Sequence, residues 1–118
     1  MRNLEHQIQV ALTDYIAYKH PKLYKSIAFF AIPNGGARSP ATGAMLKAEG
    51  VRRGVFDLMV CVSRGIFHGL FIELKAGNNK LTPEQKIFME ARIADDYSCV
   101  VCYSVASAIE ELEKYLSS

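Results

Sequence analysis

Apolar residues recur along this chain with two periods, and the switches between them mark out its elements. Leu4, Ile8, Ala11, Leu12, Tyr15 and Ile16 fall on one helical face, with Asn3 placed to cap the helix and Pro21 to end it. Residues 27–32, I-A-F-F-A-I, form an apolar run of strand length, stopped by Pro33-Asn34-Gly35-Gly36. Ser39 and Pro40 then supply a cap and first helical position, and Gly50 a C-terminal stop, so 40–49 reads as a short helix that Gly43 weakens. Residues 55–62 and 67–76 read as two strands around a short turn. Thr82 and Pro83 open another helix, with Ile87, Phe88, Ala91 and Ala94 expected on its buried face. Residues 98–103 read as a last strand. A final helix, capped by Ser104, should bury Val105, Ile109, Leu112 and Leu116 and turn Glu110, Glu111, Glu113 and Lys114 to solvent.

The first three strands can make an antiparallel meander. The connection from residue 76 through a helix to residue 98 is long enough for a right-handed parallel crossover. The expected fold is therefore a mixed α/β sheet with helices on both faces, in one domain spanning 1–118.

Two strands contain charges where a buried sheet should carry none. Asp57 lies in the first, Glu73 and Lys75 in the second. An unpartnered buried ion costs several kcal/mol or more, so such charges are normally paired or bound to a metal. Alternation puts Phe71, Glu73 and Lys75 on one face, and Asp57, Met59 and Cys61 on one face of the preceding strand, opposite Phe56 and Leu58. Register decides whether the acids meet. A two-residue Arg64-Gly65 turn pairs Asp57 with Ile72 and separates the carboxylates. A three-residue Ser63-Arg64-Gly65 loop pairs Asp57 with Phe71 and leaves Glu73 as a diagonal neighbour at roughly 7–8 Å. A shared site requires an odd-length loop or a bulge. Two such carboxylates would repel, and a divalent cation relieves this; hard oxygen ligands favour Mg²⁺ or Mn²⁺ over zinc. Lys75 reaches the same space and can hold a phosphate or orient a water. The simpler alternative is a salt bridge between Lys75 and one acid at the end of an edge strand.

Composition changes this picture little. Of 118 residues, 50% are hydrophobic and 22% charged, and the net charge of +2 gives no bulk signal for nucleic acid. A local cluster, Arg38, Lys47, Arg52 and Arg53, surrounds the glycine loop and the short helix, and reads either as phosphate contacts or as a solvated rim. No apolar run approaches the ~20 residues of a membrane span, and the first residues do not open a signal peptide. Three cysteines favour a reducing compartment over a disulfide framework. The C-x-x-C spacing of Cys99 and Cys102 lies in a strand, where residues three apart face opposite ways, so both read as buried small residues.

Asp57 followed by Glu73-Leu74-Lys75 resembles the D…(D/E)-x-K signature of the PD-(D/E)XK nuclease superfamily, and the order α-β-β-β-α-β matches its restriction-endonuclease-like core. The chain more closely resembles a stand-alone VRR-NUC (virus-type replication-repair nuclease) domain. The likeness rests on Pro33-Asn34-Gly35-Gly36, Gly54-Val55-Phe56-Asp57-Leu58, Glu73-Leu74-Lys75 and Thr82-Pro83-Glu84-Gln85. It implies Mg²⁺- or Mn²⁺-dependent hydrolysis of DNA phosphodiesters, with Asp57, Glu73 and the Leu74 carbonyl on the metal and Lys75 as the catalytic lysine. Glu5 fits an acidic position that approaches the metal through water in relatives, and is otherwise a solvated residue. Gln85 matches a glutamine near the catalytic lysine, but Thr82-x-x-Gln85 is also a capping box. Phe56 departs from a common proline and, pointing away from Asp57, should alter packing alone.

The resemblance further implies a homodimer acting on branched, flapped or junction DNA in replication, repair or recombination, in the cytoplasm of a bacterium or a virus-infected host, with no membrane partner. Arg38, Lys47, Arg52, Arg53 and Lys80 would make sequence-independent phosphate contacts. A non-catalytic nucleic-acid-binding module on the same fold would need the basic cluster but not the three site charges. An unrelated ligand-binding domain using Gly35-Gly36 lacks a strand–loop–helix fingerprint.

Overall fold

Residues 4–33 and 39–118 are described by the computed structural model; the expected Asn3 cap, the Asn34-Gly35-Gly36 loop and Arg38 lie outside them. The elements are α1 (Leu4–Lys19), α2 (Pro21–Lys25), β1 (Phe29–Ala31), α3 (Pro40–Ala48), β2 (Leu58–Val60), β3 (Leu70–Leu74), α4 (Pro83–Ala94), β4 (Ser98–Cys102) and α5 (Val105–Leu116). The strands form one sheet in the order β1-β2-β3-β4, antiparallel except for the parallel β3–β4 pair. This is the expected mixed α/β fold, a restriction-endonuclease-like sheet with helices on both faces.

Helix starts follow their capping chemistry. Ser39 Oγ accepts from Thr42 N at 3.1 Å, and Ser104 Oγ from Ser107 N at 3.1 Å. Pro21 does end the first helix, but it also occupies the first turn of α2, which the apolar period had not revealed. The two sheet faces differ in kind. Leu58, Val60, Leu70, Ile72 and Leu74 are fully buried with Leu12 and Ile16 of α1 and Ala108 and Leu112 of α5. Each such aliphatic side chain contributes about 1.5–3 kcal/mol, so this face holds the fold together. On the other face α4 rests on a smaller aromatic contact: Phe88 lies 5.0 Å from Phe71 and 5.4 Å from Phe56, ring centre to ring centre.

Several expectations need correction here. Ile87 is 69% exposed, and Ala91 and Ala94 are also exposed, because α4 meets the sheet through Gln85, Phe88 and Arg92, the last stacked on Phe88. Phe56 precedes β2 and escapes its alternation, packing against Phe88 of α4. Glu113 is part-exposed as expected but not simply solvated: it accepts from Tyr15 Oη and pairs with His20 Nε2 at 2.7 Å, tying α5 to the end of α1. Cys99 pairs with Phe71 and Cys102 with Leu74, so the two thiols face opposite sides of the sheet.

The central hairpin closes differently from both expected loops. Arg64 and Phe67 exchange backbone hydrogen bonds of 3.0 and 2.8 Å around Gly65-Ile66, and Gly65 supplies a φ of +56°. Farther in, Val60 pairs with Leu70 and Leu58 with Ile72. Residues 61–63 on one side therefore oppose only 68 and 69 on the other. The surplus residue is a bulge. It shifts the register so that, carried one step beyond β2, Asp57 stands across from Glu73, where the three-residue loop would have paired it with Phe71.

Candidate active site

Asp57 lies just outside β2, where the ladder ends and the chain bends. Its side chain replaces the missing ladder bond: Asp57 Oδ2 accepts from Leu74 N at 3.0 Å. Glu73 reciprocates, its Oε1 accepting from Asp57 N at 3.1 Å. Each acid thus anchors the backbone beside the other. Leu74 N–H points toward Asp57, and in a strand the carbonyl of the same residue points the same way. Lys75 N bonds in the opposite direction, to Cys102 O at 3.0 Å.

Glu73 is 3% exposed, and its Oε2 meets two donors: Gln85 Nε2 at 2.7 Å and Lys75 Nζ at 3.4 Å. Gln85 serves both readings of its position. Its Oε1 accepts from Thr82 N at 3.0 Å while Thr82 Oγ1 accepts from Gln85 N at 3.1 Å, completing the capping box. The amide nitrogen is then left to face Glu73. One side chain caps the helix and holds the acid.

The charge balance opposes ionisation. Burial, then the Asp57 charge, push Glu73 up to about 7 despite the nearby Lys75 ammonium. Asp57 is also raised, by burial first and by the Glu5 charge, against the lowering effect of its bond to Leu74 N. One lysine does not offset two carboxylates, one buried and one half-buried. The simple salt-bridge alternative is present as a Glu73–Lys75 contact of 3.4 Å, while Asp57 is met by the Leu74 N–H and feels the Lys75 charge only at longer range.

Other expected residues gather less tightly. Glu5 reaches the rim of the site, where its Oε2 accepts from Ala76 N at 3.2 Å and from Asn79 Nδ2 at 3.1 Å. Lys47, Arg52 and Arg53 line one groove of about 600 Å³ with Glu84, the neighbour of Gln85. Lys80 is exposed on the β3–α4 connection, outside that lining. Among the described residues, no three His, Cys, Asp or Glu side chains form a metal cage.

Gly54 had carried only a resemblance; its physical role is close approach. It has φ +98°, and an added Cβ would lie 2.7 Å from Glu84 C and O, so only glycine lets this loop press on the first turn of α4. Gly50, at φ +100°, has nothing within 4 Å of such a Cβ. Both alanine variants should lose about 1–3 kcal/mol from backbone strain in denaturant unfolding. Gly54→Ala should lose clearly more than Gly50→Ala; equal losses would deny the contact any importance.

The chain resembles known proteins over nearly its whole length. A solved structure described as a VRR_NUC domain protein superposes with a TM-score of 0.83 at 26% identity, covering 99% of this chain and 91% of the other. No curated protein sequence matches. The family model for the VRR-NUC domain matches residues 5–106, a span that runs from Glu5 through both acids to the start of α5. On that match the chain belongs to the VRR-NUC domain family, and its fold is of nuclease type.

Proposed function

We propose that this protein is a Mg²⁺- or Mn²⁺-dependent endonuclease that hydrolyses DNA phosphodiesters, with branched, flapped or junction DNA as its preferred substrate. The observation that carries the reading is the Asp57–Glu73 pair, a half-buried and a buried acid held face to face with one lysine between two negative charges. The donor set fits the ion: two carboxylates and one strand carbonyl are hard oxygens, and Mg²⁺ accepts one or two carboxylates while keeping several waters. Asp57, Glu73 and the Leu74 carbonyl would hold it. When bound, the ion supplies positive charge to the phosphodiester and to water.

The chain's own groups do the rest. Lys75, brought beside Glu73 on the site face, orients the attacking water or stabilises the charge that develops on the phosphate. Gln85 keeps the Glu73 carboxylate aimed by donating to Oε2. Arg38, Lys47, Arg52, Arg53 and Lys80 contact phosphates without reading bases, so recognition is by DNA shape. A homodimer would set two such sites on a branched substrate, and the exposed Ile87, Ala91 and Ala94 stripe of α4 offers it an apolar surface.

The test is incubation with a four-way junction, a flap and a linear duplex, each with Mg²⁺, Mn²⁺ or a chelator. Cleavage is expected only with metal and fastest on the branched DNAs. Five phosphate contacts should give log K a slope of about −4.5 against log salt. Binding without cleavage in every condition would favour the non-catalytic module. Equal rates on duplex and junction would remove the shape preference, and sedimentation of the wild type as a monomer would remove the dimer.

A further inference from the structure

The turn that follows Lys75 is held from two sides by groups with no part in the proposed chemistry. Asn79 N donates to Ala76 O at 3.2 Å, and Gly77 between them has φ +60°. From α1, Glu5 Oε2 accepts both Ala76 N and Asn79 Nδ2. From beyond β4, Tyr103 Oη donates to Asn79 O at 2.7 Å. Lys75 itself is tied by its N–H to Cys102 O. Residues 75, 76 and 79 are thereby fixed to α1 and to the end of β4, which packs beside β3.

We propose that Glu5, Asn79 and Tyr103 form a clamp that positions Lys75, and that Glu5 acts on this turn and not on water at the metal. The proposal rests on the nuclease reading for what Lys75 does, but the clamp itself does not. One observation carries it. Both lone pairs of Glu5 Oε2 are engaged by donors from the turn, Ala76 N at 3.2 Å and Asn79 Nδ2 at 3.1 Å. Lysine has a long stem with much rotamer freedom, so its ammonium can be aimed only if its backbone is fixed. A misplacement of about 1 Å at a reacting group can cost about 100-fold in rate.

Glutamine separates the two roles of Glu5. Its Oε1 can accept the same two hydrogen bonds, but it carries no charge for a metal-bound water shell. Three readouts apply to Glu5→Ala, Glu5→Gln, Asn79→Ala and Tyr103→Phe: amide hydrogen exchange at Lys75 and Ala76 in the metal-free protein, Mg²⁺ affinity by calorimetry, and kcat on junction DNA. Glu5→Ala should speed Ala76 exchange by about 10-fold or more through local opening. It should also lower kcat by about 10–100-fold with Mg²⁺ affinity within about twofold of wild type. Glu5→Gln should restore slow exchange and most of kcat. Tyr103→Phe and Asn79→Ala should lower kcat without changing Mg²⁺ affinity.

Unchanged Ala76 exchange in Glu5→Ala overturns the clamp. So does a Glu5→Gln protein as inactive as Glu5→Ala with weakened Mg²⁺ binding, because then the charge matters and the hydrogen bonds do not. If wild type cuts no DNA, the nuclease reading fails instead, and exchange at Lys75 and Ala76 still decides whether the clamp exists.

Discussion

Asp57→Ala should abolish both Mg²⁺ binding and cleavage, whereas Lys75→Met should keep the ion and lose the rate. On the proposed reading Asp57 would provide one of two carboxylates to the ion, and it is also the acceptor for Leu74 N. Its removal leaves one charged ligand and frees the end of β3. Lys75→Met leaves that ligand set whole. Losing one preorganised charge-stabilising group costs about 100–1,000-fold in kcat, which is the fall expected here.

Breaking a buried ion pair typically costs about 3–5 kcal/mol. In Lys75→Met the cost should fall below that range, because Glu73 already titrates near 7 and can take up a proton when its partner goes. Calorimetry for Mg²⁺, single-turnover cleavage and thermal melting resolve the two variants. A Lys75→Met protein with near-normal kcat would remove lysine from the chemistry. Retained metal binding in Asp57→Ala would remove that acid from the ion.

The second large effect is on stability against pH. Glu73 ionises at about 7 when folded, against an ordinary value of 4.5, so the folded chain binds its proton more tightly than the unfolded one. That contribution is fully present below the unfolded value and is lost as pH rises through about 7. A shift of this size corresponds to about 3 kcal/mol, or roughly 10 °C of melting temperature for a domain of this length. Asp57 is raised as well and adds in the same direction. Glu113 is lowered, by its bonds from Tyr15 and then His20, so its contribution is lost only as pH falls below the ordinary carboxylate range. The two windows are separate.

The metal-free protein should therefore melt progressively lower from pH 5 to pH 8, and Mg²⁺ should restore most of the loss at pH 8. Glu73→Gln, which cannot ionise, should flatten most of that fall. Parallel melting curves for wild type and Glu73→Gln across this range would show that the acid is not held under strain.

The legible parts of this fold were those with local chemistry. Ser39-Pro40, Thr82-Pro83 and Ser104 announce helix starts because caps and first-turn prolines act within a few residues. The three misplaced charges pointed to one another, and the structure brings them together, because burial of ions is expensive wherever it occurs. What could not be read depended on partners distant in sequence. Residues 55–57 have strand-forming neighbours, yet β2 begins only at Leu58, since Asp57 turns its side chain to Leu74. Ile87 fits a helical apolar stripe, but the sheet face beneath α4 carries charge and selects Gln85 instead. The bulge in residues 61–63 was only one of several closures that the Ser63-Arg64-Gly65 segment allows. Glu113 looked like one of several solvated acids until α1 was placed beside α5.

Gln85 has a consequence for how signals pass through this small structure. Its one amide joins the start of α4 to Glu73, so order at either end is shared with the other. By reciprocity, anything that steadies the Glu73 carboxylate must quiet the first turn of α4, and fraying of that turn must weaken whatever the carboxylate holds. Gly54 presses on Glu84 in the same turn, beside the basic groove. On the proposed reading, a nucleic-acid backbone in that groove and an ion at Glu73 would each steady the first turn of α4, so each should strengthen the binding of the other without any large movement.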